Sequence, residues 1–317
     1  MNPFVFLVGC ARSGTTLLER LADAHPVLAV THGTRWIVRL YQDGAGLTDD
    51  GRVTRQFIEQ LIAHPRFKTM AMNVPDVQRL HASRPGAPYA EFVTALFDLY
   101  GMRRGKRYVG DRSPEYVRSV PLLHDLWPAA RFVHIIRDGR DVWLSVADWQ
   151  KGATHLPTWG ADPVSTTAVW WERNVRLARE AGAALGPQLY HELRYESLVA
   201  DPVAECTRLC QFLGFPFDDR MLRFHEGRTR DLPGLDAKKS WRPVTAGLRD
   251  WRSQMSLDEV GRFEAVAGGL LDELGYPRAA TALRQDQLDY ATRIRDLCAA
   301  DERNNGRPVP TAWAATA

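Results

Sequence analysis

Lysine is nearly missing from this chain of 317 residues: five lysines stand beside 36 arginines, and the formal charge is only +3. With no long run of basic residues, the stripe of cations that grips nucleic acid is excluded, so no nucleic-acid partner is expected. Cysteine is scarce as well. Cys10, Cys206, Cys210 and Cys298 form no CxxC pair, which excludes a zinc ribbon or a disulfide scaffold and leaves no metal site in view. Cys206 and Cys210, four apart on an expected helix, read as buried free thiols of a reducing compartment. No apolar stretch reaches the roughly 18 residues that cross a bilayer. The Met-Asn-Pro start lacks the charged segment and cleavage site of a secretory leader. These absences lead to the expectation of a cytoplasmic protein without a membrane span.

What is present is an ordinary globular composition, 45% hydrophobic and 25% charged, with ample chain for a buried core. A GC-rich genome accounts for most of the arginine excess. Individual arginines still matter, because the planar guanidinium grips phosphate where lysine acts as a point charge.

Phe4 to Val8 is an unbroken apolar run of the kind that suits a parallel strand buried on both faces. Leu17, Leu18 and Leu21 follow at helical spacing. Residues 31–105 are less regular, with one clear helical stripe at Phe92, Leu96, Phe97 and Tyr100. A short strand at Tyr108-Val109-Gly110 and a helix from Tyr116 to Leu126 precede a second strong strand, Phe132 to Ile136. Helices over Val142–Trp149 and Ser165–Ala184 lead to an alternating strand, Leu189–Tyr195. Asp201-Pro202 opens a helix that Gly214 ends, and Ser256 with Glu259 forms a capping box for a helix closed by Gly275. Strands alternating with helices predict one α/β domain over 1–300, P-loop-like, with a central parallel sheet flanked by helices. A flexible tail is expected over 301–317.

Gly9-Cys10-Ala11-Arg12-Ser13-Gly14-Thr15-Thr16 carries the glycine spacing of a phosphate-binding loop, placed between a buried strand and a helix. Backbone N–H groups and a helix N-terminus there point at an anion. The lysine of nucleotide-cleaving loops is replaced by Thr15, which disfavours a kinase or ATPase. Arg12 supplies the positive charge, and Ser13, Thr15 and Thr16 supply hydroxyls around Gly14.

Arg12-Ser13-Gly14-Thr15-Thr16-Leu17 with Ala24-His25-Pro26 resembles the 5′-phosphosulfate loop of sulfotransferases that use 3′-phosphoadenosine 5′-phosphosulfate (PAPS). The nearest in flavour are bacterial sulfotransferases related to tyrosylprotein sulfotransferases. The resemblance continues through Gly110-Asp111-Arg112-Ser113-Pro114, Ile136-Arg137-Asp138-Gly139-Arg140-Asp141-Val142 with Ser145, Arg194-Tyr195-Glu196-Ser197-Leu198, Gln211-Phe212-Leu213-Gly214 and Trp251-Arg252. It implies that Arg137, Ser145 and Tyr195 hold the nucleotide phosphates. Competing readings are an ion pair of Arg137 with Asp138 or Asp141, a Ser145 hydroxyl bonded to its own helix, and a core tyrosine. In the family a late loop completes the nucleotide site; Lys239 and Arg249 are the candidates here, against a solvated basic loop.

Sulfuryl transfer needs cations at the reacting centre and a base for the acceptor hydroxyl. Arg12 is the expected charge stabiliser. Arg112 stands where the family has lysine, and arginine, a poor proton donor, can help only electrostatically. The tyrosylprotein branch carries a glutamate base in Glu-Glu-Thr-Arg; this chain has His32-Gly33-Thr34-Arg35, so His32 becomes the candidate base, against a loop histidine without a role. Arg35 is a candidate for orienting the acceptor. The expected acceptor is a small molecule bearing a hydroxyl, aromatic or lipidic, with protein tyrosine as the alternative. Trp143, Trp149, Trp159, Trp170 and Trp171 either line its pocket or, the favoured reading, pack the core. A nucleotide or small-molecule kinase and a catalytically silent nucleotide-binding module are the competing functions. A homodimer is left open.

Overall fold

The structure, a computed structural model, describes residues 4–149, 155–226, 243–279 and 283–304. Its centre is β1, Val5–Val8, four residues buried on both faces. Phe4 and Phe6 point into a core of aromatic rings on one side of the sheet, while Val5 and Leu7 point into an aliphatic core on the other. That two-sided burial is why the strand reads as a continuous apolar run.

The chain leaves β1 through the loop into α1 (Thr15–Ala24), and returns as β2 (Leu28–Thr31). Four helices follow: α2 (Trp36–Gln42), α3 (Arg55–Ala63), α4 (Val74–Ala82) and α5 (Tyr89–Met102). Then come β3 (Tyr108–Arg112), α6 (Val120–Leu126), β4 (Arg131–Ile136), α7 (Gly139–Trp149), α8 (Pro163–Leu185) and β5 (Tyr190–Arg194). The helices α9 (Tyr195–Ala200), α10 (Pro202–Leu213), α11 (Trp251–Gln254), α12 (Leu257–Glu273) and α13 (Gln285–Asn304) complete the described chain.

All five strands are parallel, in the order β2-β3-β1-β4-β5. From β1 the chain runs to the edge strand β2, returns inward to β3 and then crosses to β4 and β5, so its topological switch point lies at the carboxyl end of β1. Register aligns Leu7 with Arg112 and Val8 with His134, bringing the ends of β3, β1 and β4 side by side. This is the P-loop-like α/β sheet that the alternation of strands and helices predicts.

Several elements depart from the sequence reading, each for a local reason. β2 and the helices α2 to α4 were not visible because β2 has four residues and α2 seven, too few periods to register a pattern. The single helix expected over Tyr116–Leu126 is a 3-10 turn, Pro114–Arg118, followed by α6. Pro121 lacks the N–H that would have continued the first into the second, and sits instead in the opening turn of α6. Tyr195 does not close β5 but opens α9. α13 was not anticipated and runs past residue 300.

The caps stand as read. Asp201 accepts from the Ala204 N–H at 3.0 Å, Gly214 takes a left-handed φ of 79°, and Ser256 with Glu259 bonds reciprocally at 3.2 and 2.9 Å. All four cysteines are buried free thiols. Among the described residues no helix is long and apolar enough to cross a membrane. Trp143, Trp170 and Trp171 are buried in the core formed by α7, α8 and α12, and Trp159 is half-buried beside Trp143; the Trp149 side chain lies outside the described residues.

Candidate functional site

The loop after β1 is held open by backbone geometry that few residues adopt. Gly14 has φ 98° and Arg12 has φ 75°, the latter unusual for a residue with a Cβ. The Ser13 N–H closes a turn on the Cys10 carbonyl at 3.1 Å. Gly14 caps α1 without a side-chain bond, so the first-turn N–H groups of the helix face the loop uncapped. The Ser13 hydroxyl is buried and has no partner among the described residues. From this loop Arg12 Nε donates to Ser145 Oγ at 2.9 Å, joining the β1 loop to the helix after β4.

Arg137 lies at the end of β4, only 6% exposed. One guanidinium nitrogen approaches Asp141 at 3.5 Å, while Nε is buried without a partner among the described residues. The guanidinium carbon sits 4.3 Å from the centroid of the Tyr195 ring. That ring also closes on the loop, since a Cβ added at Gly14 would meet it at 2.5 Å. The ion pair between Arg137 and Asp141 that the sequence offered is therefore present but long. The Ser145 hydroxyl is engaged by Arg12. Burial pushes the Asp141 carboxyl up to about 6, against the opposing pull of Arg137. Asp138 is taken by Arg140, a fully buried guanidinium that also binds Glu264 at 2.6 Å and stacks on Trp251.

On the other side of β1, His32 and Arg112 come together through a residue the sequence reading passed over. Glu19, on α1, is fully buried and receives Arg112 Nε at 2.7 Å and Nη2 at 2.6 Å through one oxygen. Its other oxygen bonds His32 Nδ1. The signal for Glu19 was in the pattern: it shares the buried face of α1 with Thr15, Leu18 and Ala22, a carboxylate within an apolar stripe. Burial pushes its carboxyl up, but Arg112 and His32 together outweigh that and hold it below the usual carboxylate range.

Asp111, within the Gly110–Pro114 motif, organises the same loop. Its carboxylate accepts from Thr34 N–H at 3.2 Å, Thr34 hydroxyl at 2.7 Å, Tyr116 hydroxyl at 2.9 Å, and the Thr31 hydroxyl. Gly33 has φ 68°, and a Cβ there would stand 2.9 Å from the Arg112 carbonyl and 3.5 Å from its guanidinium. Arg35 lies at the surface, 3.5 Å from Glu115.

The late loop is divided. Lys239 lies outside the described residues. Arg249 is described, and it bonds the Asp148 carboxylate on α7.

Residues 3–219 match the sulfotransferase family. Protein-tyrosine sulfotransferase A of Caenorhabditis elegans is 24% identical over 280 residues, spanning 87% of this chain and 67% of that protein. The omega-hydroxy-beta-dihydromenaquinone-9 sulfotransferase of Mycobacterium tuberculosis is 31% identical over 118 residues, 35% of this chain and 30% of that one. Among solved structures, the sulfotransferase domain of the Synechococcus olefin synthase aligns with a TM-score of 0.56 at 21% identity, covering 92% of this chain and 94% of that domain.

Proposed function

The chain belongs to the sulfotransferase family, and from that membership we propose that it moves the sulfuryl group of PAPS to the hydroxyl of a small-molecule acceptor, releasing 3′,5′-ADP. The observation that carries this reading is the bond from Arg12 to Ser145 beside the uncapped start of α1, with the Arg137 guanidinium on the Tyr195 ring that closes on Gly14. The fit to a nucleotide with two anionic ends rests on two buried polar atoms without partners among the described residues, Ser13 Oγ in the loop and Arg137 Nε beyond β4. Buried donors of this kind carry a desolvation cost that a phosphate oxygen would offset.

When bound, the donor supplies an activated sulfuryl group open to in-line displacement. The loop N–H groups, Ser13, Thr15 and Thr16 would hold its 5′ end, and Arg137 with Ser145 and Tyr195 its 3′-phosphate. Arg12 would neutralise charge that builds on the transferring group, and Arg112 would act on the leaving oxygen as a fixed cation. His32 would take the acceptor proton. Lys239 and Arg249 remain candidates for closing over the nucleotide.

The acceptor is inferred from a replacement. Gly33 occupies the place of the glutamate base in the tyrosine-modifying branch, and its surroundings leave no room for a side chain. Protein tyrosine is the second reading, favoured by relatives that align over most of the chain.

Calorimetry with 3′,5′-ADP and with ATP tests the donor, and transfer of labelled sulfate from PAPS to phenols, lipid alcohols and a tyrosine peptide tests the acceptor. The expected result is selective binding of 3′,5′-ADP and transfer to a small hydroxyl; transfer confined to the peptide overturns the acceptor. His32→Ala should lose about a hundredfold in turnover while retaining nucleotide affinity. Undiminished turnover removes His32 from the mechanism.

A further inference from the structure

We propose that Glu19 is the positioning residue of the proton-transfer step, fixing the His32 ring through Nδ1 so that Nε2 is the atom left to receive the acceptor's proton. The inference rests on the reading of His32 as the base and extends it to a residue one helix away.

The geometry divides the carboxylate between two partners. One oxygen is occupied by both Nε and Nη2 of Arg112, at 2.7 and 2.6 Å, and the other meets His32 Nδ1. An ionised carboxylate only accepts hydrogen bonds, so the imidazole nitrogen facing it must carry the hydrogen. The tautomer is thereby decided, and the lone pair of the neutral ring resides on Nε2.

Exposure separates the two roles. The His32 side chain is 34% exposed and that of Glu19 is 0% exposed, so an acceptor can approach the ring but not the carboxylate. Glu19 is thus unsuited to be the base itself. The charged groups on the neighbouring elements fit this division. Glu19 comes from α1 and Arg112 from β3; Arg35 is drawn to Glu115 at the surface; Asp111 is consumed by Thr31, Thr34 and Tyr116.

In the step itself, the acceptor O–H proton passes to Nε2 as the new O–S bond forms. The S–O bond to the phosphate breaks, and the leaving oxygen keeps the electron pair beside Arg112. The imidazolium then stands against Glu19 until it releases its proton to solvent. Arg112 keeps the carboxylate ionised for that purpose, and the carboxylate in turn keeps the guanidinium from swinging away.

The test uses the full chain labelled with nitrogen-15 at histidine, the His32 signals being identified by their loss in His32→Gln. The neutral ring of the unmodified protein should show the Nδ1–H tautomer. An Nε2–H tautomer overturns the proposal without any change to Glu19. In Glu19→Gln, whose amide can donate or accept, the tautomer preference should be lost. The kcat should fall about tenfold to a hundredfold, with the KM for PAPS held within about threefold, and Glu19→Asp should recover part of the loss. If Glu19→Gln keeps its kcat while His32→Ala is inactive, Glu19 has no positioning role and His32 remains the base. Full activity of His32→Ala overturns the base reading itself, and the positioning role with it.

Discussion

Two arginines on opposite sides of β1 are treated in opposite ways. Arg112, at the end of β3, is neutralised by a fully buried carboxylate at hydrogen-bond distance. Arg137, at the end of β4, has its nearest carboxylate at 3.5 Å, and its Nε is buried without a partner among the described residues. A guanidinium already satisfied by the protein is a fixed cation; in the proposed site, the one left short of an anion is the one a phosphate would complete. The sheet thus places a held cation and a waiting cation on either flank of the loop that carries Arg12.

The comparison can be broken by experiment. The largest effect is expected at the residue between the two flanks: Arg12→Ala should lower kcat about a hundredfold to a thousandfold in single-turnover sulfate transfer, because it removes a preorganised donor. Next comes the contrast itself. Arg112→Ala strands a buried charge and should destabilise the fold by about 3 kcal/mol in urea titration. Arg137→Ala should cost well under half of that, yet weaken 3′,5′-ADP binding about tenfold to a hundredfold by calorimetry. Equal stability losses for the two variants would erase the distinction.

Gly14→Ala should lose both stability and nucleotide affinity, since the new carbon meets Tyr195 at a left-handed φ; about 2 kcal/mol is expected from thermal melts. The smallest effect belongs to Asp141→Asn. The folded carboxyl titrates near 6, above its usual 3.8, so between those values the folded protein binds more protons than the unfolded one. Stability from this group is therefore complete below pH 3.8 and declines as pH rises through 6. The asparagine variant should match the unmodified protein at pH 4 and exceed it at pH 7. It should also bind 3′,5′-ADP more tightly at pH 7, having lost a negative charge beside Arg137.

What the sequence made legible follows from spacing. The loop from Gly9 to Thr16 and the step from Arg137 to Ser145 are each contiguous stretches of sequence, and the structure joins the two through the bond from Arg12 to Ser145. The core strand β1 announced itself by burial on both faces. Glu19 showed only as a carboxylate in the buried stripe of α1; its meaning comes from His32 and Arg112, which approach it across a strand crossover and have no fixed spacing from it. Asp111 was hidden likewise, inside a motif whose visible part was the arginine beside it. β2, whose apolar run ends at Thr31 and holds an alanine, did not stand out as β1 did, and with it went the frame that presents His32. Arg249, a late-loop candidate, bonds Asp148 in the structure, a partner that no spacing announced.

The contact between Gly14 and Tyr195 bears on what lengths of ligand the site can admit. The ring lies 2.5 Å from where a Cβ would stand, and the same ring carries the Arg137 guanidinium at 4.3 Å. Loop, ring and guanidinium therefore lie one upon the next, and a carbon added at Gly14 would thicken that stack. In the proposed site the loop takes one anionic end of the nucleotide and Arg137 the other, so that thickness works as a ruler. It would sort nucleotides by the separation of their two charged groups, and ATP, with its charges strung along one chain, would be measured and refused.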